Sequence, residues 1–233
     1  MKLDPLSFYK IMFDYFGTQK WWPIDENYHK SNNSDYRYEI ILGSILTQNT
    51  TWFNVEKALC NIKNNKKLDI KSIFEIDIKF LQELIKSSGF FKQKALIIKN
   101  ISEFIYYNYN NLDKFFNRDL KIIRNELLSL KGIGPETADS ILLYAGNKPI
   151  FVVDNYTKRI CNRLPIETEK TYNKIQEFFE NNLRKKFSDK EIIKIYKEFH
   201  ALIVLLCKNY CKKIPECKKC LINKYCHYYK NLL

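Results

Sequence analysis

The sequence has no stretch approaching the roughly 18 consecutive apolar residues that a membrane helix needs, so no membrane association is expected. Asp4, Pro5 and Asp14 interrupt any apolar run near the N-terminus, and nothing there resembles a signal peptide. The expectation is a cytoplasmic chain. No alternating period-2 pattern flanked by hairpin turns is present, which argues against a sheet; "KPIFVV" is at most one short extended piece. There is no internal repeat and no low-complexity linker. Glycine and proline are scarce, six of each, and serve as punctuation. Only His29, His200 and His227 are histidines, and they read as ordinary polar residues.

What is present is a chain of 233 residues with 45% hydrophobic content, long enough to bury a real core in one large domain or two smaller ones sharing a cleft. The formal net charge is +13, which suits a polyanionic partner, nucleic acid being the commonest. The same abundance of Lys, Asn, Ile, Phe and Tyr accompanies AT-rich coding sequences, so charge alone does not decide the partner. Four of the seven cysteines, Cys211, Cys217, Cys220 and Cys226, crowd together near the C-terminus, while Cys60, Cys161 and Cys207 are scattered. In a reducing compartment such a cluster points to metal rather than to disulfides.

Helical periodicity runs through nearly the whole chain. Leu120, Ile123, Leu127 and Leu130 share one helical face, as do Ala138, Ile141, Leu142 and Ala145. Ile192, Ile195, Tyr196, Phe199, Leu202, Ile203 and Leu206 line a long late helix. Further helices are predicted near 6–16, 36–46, 52–63, 78–87, 92–108 and 171–183. The class is all-α. Between two of these helices lies Lys131-Gly132-Ile133-Gly134-Pro135. Glycines make a tight reversal cheap, and proline suits the first turn of the following helix. The free N–H groups of that helix start would attract phosphate without reading a base. By itself such a hairpin is also an ordinary packing corner.

The run "LKGIGPETADSILLYAGNKPIFVVDNYTKRI", from Leu130 to Ile160, resembles the helix-hairpin-helix, Gly/Pro loop and Asp signature of the endonuclease III superfamily of DNA glycosylases. "ILGSILTQNTTWFNV" resembles the family's early helix and intercalating loop, "SSGFFKQKA" its second loop, and the cysteine cluster its iron–sulfur loop. These pieces cover roughly residues 36–226. The resemblance implies two helical lobes flanking a DNA groove: a six-helix barrel with the hairpin over 30–148, and a cluster-binding lobe made of 1–29 and 149–233. It implies a monomer acting on double-stranded DNA that contains a damaged base.

The resemblance makes Asp154 the catalytic acid, and the physical reading supports it. A partly shielded carboxylate can stabilise the oxocarbenium-like sugar formed as the base leaves, and can orient or deprotonate the attacking water. Asp154 would also cap the helix starting near Tyr156. Strand-cleaving members carry a lysine two residues after the second glycine, and here that position is Glu136, which cannot form an imine. The implied activity is hydrolysis without strand cleavage. Trp21-Trp22-Pro23 resembles the 3-methyladenine glycosylases of the same superfamily. A flipped cationic purine stacked on an indole gains of order 1–2 kcal/mol. The alternative for both indoles is a place in the core. The alternative activity is removal of mispaired or oxidised bases, with or without strand cleavage.

By the same resemblance Gln48, next to Asn49, fills the hole left by the flipped base, and Phe90 wedges from the other side. Lys92, Lys94 and Lys131, with the hairpin glycines Gly132 and Gly134, are expected at the DNA backbone. The cysteines have the spacing x5, x2, x5, one residue short of the family's usual first gap, which leaves Cys207 as a spare candidate. Four thiolates fit a [4Fe–4S] cluster or zinc, and the resemblance favours the cluster, in a structural role that folds a short basic loop.

Overall fold

The computed structural model describes residues 3–166 and 168–232. Among the described residues there are fourteen α-helices and no strand, the all-α class that the periodicity predicts. The chain divides into two compact units, Trp22–Lys148 and the combination of Met1–Trp21 with Pro149–Leu233.

The first unit is organised around the helix Tyr36–Leu46, in which every residue from Tyr38 to Leu46 is buried. It packs against the helices Trp52–Asn64 and Phe91–Tyr109 and against the π-helical turn Ile141–Ala145. Glu39 lies in this core, 3% exposed, paired with Lys63 at 2.6 Å and hydrogen-bonded to His29 at 2.6 Å. A buried carboxylate persists only with such partners. The Trp22 indole packs beneath Gly43, where a Cβ would stand 3.1 Å from the ring, and meets Trp52 edge-on with ring centroids 5.5 Å apart. Residues 22–29 therefore sit with this unit.

The second unit is built on the 21-residue helix Asp189–Asn209. Phe199 from that helix joins Phe8, Phe151 and Phe179 in one aromatic cluster, with Phe151 stacked on Phe179 at 4.6 Å. Burying each ring contributes about 2–3 kcal/mol, so packing holds the helix Pro5–Phe16 to the C-terminal segment, together with a hydrogen bond between the Tyr15 and Tyr210 hydroxyls at 2.9 Å. The run Ile150–Val153 is extended and fully buried without any strand beside it. At Phe151 the backbone is satisfied by side chains: its N–H donates to Glu180 Oε1 at 2.8 Å, and Gln176 Nε2 donates to its carbonyl at 2.6 Å. This run sets the position of the next residue, Asp154.

Candidate functional site

Asp154 is the N-cap of the helix Asn155–Arg163. Its Oδ1 accepts from the Thr157 N–H at 2.7 Å and from the Thr157 hydroxyl at 2.9 Å. Its Oδ2 lies 3.5 Å from His200 Nε2 on the long helix. Burial by itself would raise the carboxyl pKa. The hydrogen bonding and charge of His200, with the two Thr157 donors, outweigh it and hold the group below the ordinary value of 3.8. The result is a buried, ionised carboxylate that also completes a helix start. His200 was not expected to matter. It is distant in sequence, and no local pattern marks it.

In the other unit the hairpin joins the helix Leu120–Ser129 to the helix Pro135–Ser140. Gly132 has φ of 92°, and a Cβ there would stand 2.4 Å from Ile97, so both the backbone and the available space require glycine. Gly134 caps the second helix with an ordinary φ, and nothing lies within 4 Å of where its Cβ would be. Its value is an uncovered backbone rather than a special conformation. The two helices are braced by a bidentate pair, Arg124 Nε to Asp139 Oδ1 at 2.6 Å and Arg124 Nη2 to Asp139 Oδ2 at 3.1 Å, with Asp139 fully buried. Lys131 and Glu136 are exposed on this turn.

Gln48 does not project freely. Its Nε2 donates to the Gly132 carbonyl at 3.2 Å and to Thr137 Oγ1 at 2.9 Å, which ties its loop to the hairpin. The neighbouring Asn49 is exposed with φ of 53°. Phe90 is 64% exposed and itself adopts the left-handed conformation, φ 47°, after Gly89 at φ 67°. A large ring held outward in a strained loop is suited to insertion. Lys92 is exposed beside it. Lys94 corrects an expectation: it is 2% exposed and cannot reach a phosphate, because its amine is turned inward onto two backbone carbonyls.

The consecutive indoles part company. Trp21 belongs to the unit of Asp154, with Lys208 Nζ 6.0 Å from its ring centroid. Trp22, half-buried, packs in the other unit against Trp52 and Tyr144, and Pro23 is exposed.

Cys211, Cys217, Cys220 and Cys226 line one pocket together with Arg163, Tyr210 and Ile222. Arg163 Nη1 donates to Cys211 Sγ at 3.1 Å and to the Lys212 carbonyl at 2.8 Å, and Arg159 holds the Cys211 carbonyl at 3.1 Å. The hydrogen bond from Cys207 lowers the Cys211 thiol to about 6 against the effect of burial, with Arg163 and Arg159 helping. Burial raises Cys220 to about 11. Among the described residues no three His, Cys, Asp or Glu side chains are grouped to hold a single metal ion. Four cysteine sulfurs lie on the wall of this pocket with Arg163 beside them to offset thiolate charge, and sulfur donors of this kind suit an iron–sulfur cluster. No helix among the described residues is long and apolar enough to cross a membrane.

Residues 42–185 match the family model described as HhH-GPD superfamily base excision DNA repair protein. A Methanocaldococcus jannaschii protein named as a candidate DNA repair glycosylase is 46% identical over 94% of this chain and 93% of its own length. Endonuclease III of Sulfolobus acidocaldarius is 30% identical over 82% of each chain. Among solved structures, the Helicobacter pylori 3-methyladenine DNA glycosylase bound to 1,N6-ethenoadenine is similar with a TM-score of 0.73 and 29% identity, covering 89% of this chain and 98% of that one. The braced glycine hairpin, the capped aspartate and these likenesses converge, and the chain belongs to the HhH-GPD superfamily of base excision repair proteins, as a DNA glycosylase.

Proposed function

We propose that the chain is a monofunctional glycosylase that hydrolyses the N-glycosidic bond of an alkylated purine such as 3-methyladenine in duplex DNA. The observation that carries this reading is Glu136, an exposed carboxylate at the place where strand-cleaving relatives have an amine. A carboxylate cannot form a Schiff base, and in this reading water is the nucleophile. The likeness to a 3-methyladenine glycosylase across 89% of the chain supports the substrate class.

In this mechanism Asp154 supplies a fixed negative charge for the oxocarbenium-like sugar and orients the attacking water. An N3-alkylated purine already carries positive charge and leaves readily, so no strong general acid is needed. An indole of the Trp21-Trp22-Pro23 stretch stacks on the flipped cationic ring. Trp21 fits this better than Trp22, whose ring is already engaged by Gly43, Trp52 and Tyr144. Gln48 and Phe90 fill the gap in the base stack. The hairpin at Gly132 and Gly134, with Lys92 and Lys131, holds the phosphates.

Cys211, Cys217, Cys220 and Cys226 would hold a [4Fe–4S] cluster. Its contribution is to fold the loop carrying Lys212, Lys213, Lys218 and Lys219, and no redox step is required.

The test is incubation of the protein with methylated duplex DNA and chromatography of the released bases. Release of 3-methyladenine with the strand left intact is expected. Failure to release any methylated purine, with activity on oxidised pyrimidines or mispaired bases instead, overturns the substrate assignment.

A further inference from the structure

Lys94 lies in the first turns of the helix Phe91–Tyr109, yet its side chain is buried. Its Nζ donates to the Leu46 carbonyl at 2.7 Å and to the Ser88 carbonyl at 2.8 Å. These acceptors belong to different segments. Leu46 ends the helix Tyr36–Leu46, and Thr47-Gln48-Asn49-Thr50 follows directly. Ser88 ends the 3₁₀ turn Lys86–Ser88, and Gly89-Phe90 follows directly.

We propose that Lys94 is a positioning residue whose amine ties the roots of these two loops together and so fixes the spacing between Gln48 and Phe90 as they enter a duplex. The inference rests on the reading of Gln48 and Phe90 as the residues that fill the base stack.

Burying an ammonium group costs several kcal/mol unless it is fully hydrogen-bonded. A core that needed only volume at this position would be served by methionine. Both acceptors are carbonyls at the C-terminal ends of helical segments, where partial negative charge collects and a cation is favoured. Both loops also contain left-handed non-glycine residues, Asn49 at φ 53° and Phe90 at φ 47°. Such conformations persist where their surroundings hold them. Gln48 also ties its loop to the hairpin, and Asn54 makes an outer bridge between the loops: its Nδ2 donates to Thr50 Oγ1 at 3.1 Å and its carbonyl accepts from Ser87 Oγ at 2.9 Å. Lys94 makes the inner bridge, joining the buried roots of both loops directly through one amine. Prying a base from its stack costs a few kcal/mol, and two wedges that can drift apart transmit less of that force.

The experiment uses a duplex with a tetrahydrofuran abasic analogue flanked by 2-aminopurine, so that stack opening is read by fluorescence whatever base the protein excises. Wild-type protein should raise the fluorescence on binding. Lys94→Met should bind within about threefold of wild type, because phosphate contacts dominate affinity, but should lose most of the fluorescence rise. Lys94→Gln keeps an amide donor and should show an intermediate rise. A full rise from either folded variant overturns the proposal. If neither variant folds, Lys94 is a folding residue and the proposal also falls. A wild-type protein that binds without any rise overturns the wedge reading itself, separately from the clamp.

Discussion

His200 Nε2 lies 3.5 Å from Asp154 Oδ2, and the two side chains are 8% and 11% exposed. Removing His200 leaves burial as the largest influence on Asp154, so its pKa should rise. In wild type the carboxyl pKa is depressed below 3.8, so activity and the associated stability are present above that value and are lost only as pH falls through the depressed one. His200→Ala should move the acid limb of base release to higher pH and make thermal stability fall earlier on acidification. Rate profiles and melting curves between pH 3 and pH 7 test both. An acid limb unmoved by the substitution would show that His200 does not act on Asp154.

Asp154→Asn keeps a capping side chain, since Asn serves at an N-cap as well as Asp does. Folding should therefore be preserved to within about 1 kcal/mol. Base release should fall by about 100-fold or more, the scale of losing a fixed charge at a developing cation, with DNA affinity retained. Single-turnover rates beside a binding titration measure the two effects.

Glu136 should leave wild-type protein without any borohydride-trapped adduct on abasic DNA. Glu136→Lys introduces an amine on the exposed hairpin turn, where the corresponding lysine forms an imine in strand-cleaving relatives. A trapped protein–DNA band in the variant and none in wild type is the expected pattern on a denaturing gel. Trapping by wild type would mean that another amine does the work.

Asp139→Asn should break the Arg124 brace across the hairpin. A fully buried partner is lost, while Arg124 is 22% exposed and can recover some solvent, so a destabilisation of about 2–3 kcal/mol is expected. Gly132→Ala should add strain from both φ and the Ile97 contact, costing more than about 1 kcal/mol. Both variants should weaken DNA binding at every sequence alike, measurable as a uniform shift in affinity.

Cys211→Ser, or treatment with a strong iron chelator, should bleach a brown chromophore absorbing near 400 nm and reduce DNA affinity before it affects the intrinsic rate at saturating DNA. A colourless protein that releases zinc would overturn the cluster assignment.

The helices were legible because their apolar faces recur at helical spacing, as at Leu120, Ile123 and Leu127. The glycine hairpin was legible because few residues can make that turn. The π-turn Ile141–Ala145 was not, since its apolar residues fit an ordinary helix equally well. Lys94 was misread for a simple reason: a lysine in a basic stretch is normally solvated, and only the convergence of Leu46 and Ser88 makes an interior place tolerable. Arg124–Asp139 and His200–Asp154 escaped notice because pairing between separate elements leaves no periodic trace. Trp21 and Trp22 look equivalent side by side, and only tertiary packing separates them.

The nine-residue helix Asn155–Arg163 has Asp154 at its head, while Arg163 at its tail grips Cys211 and the carbonyls of Lys212 and Lys213. One helix thus links the cysteine loop to the carboxylate. With Asp154 as the proposed catalytic acid, disturbance at the sulfur end would reach that carboxylate through the helix, and oxidative damage to the cysteines should lower excision even with the hairpin and the Gln48 and Phe90 loops intact.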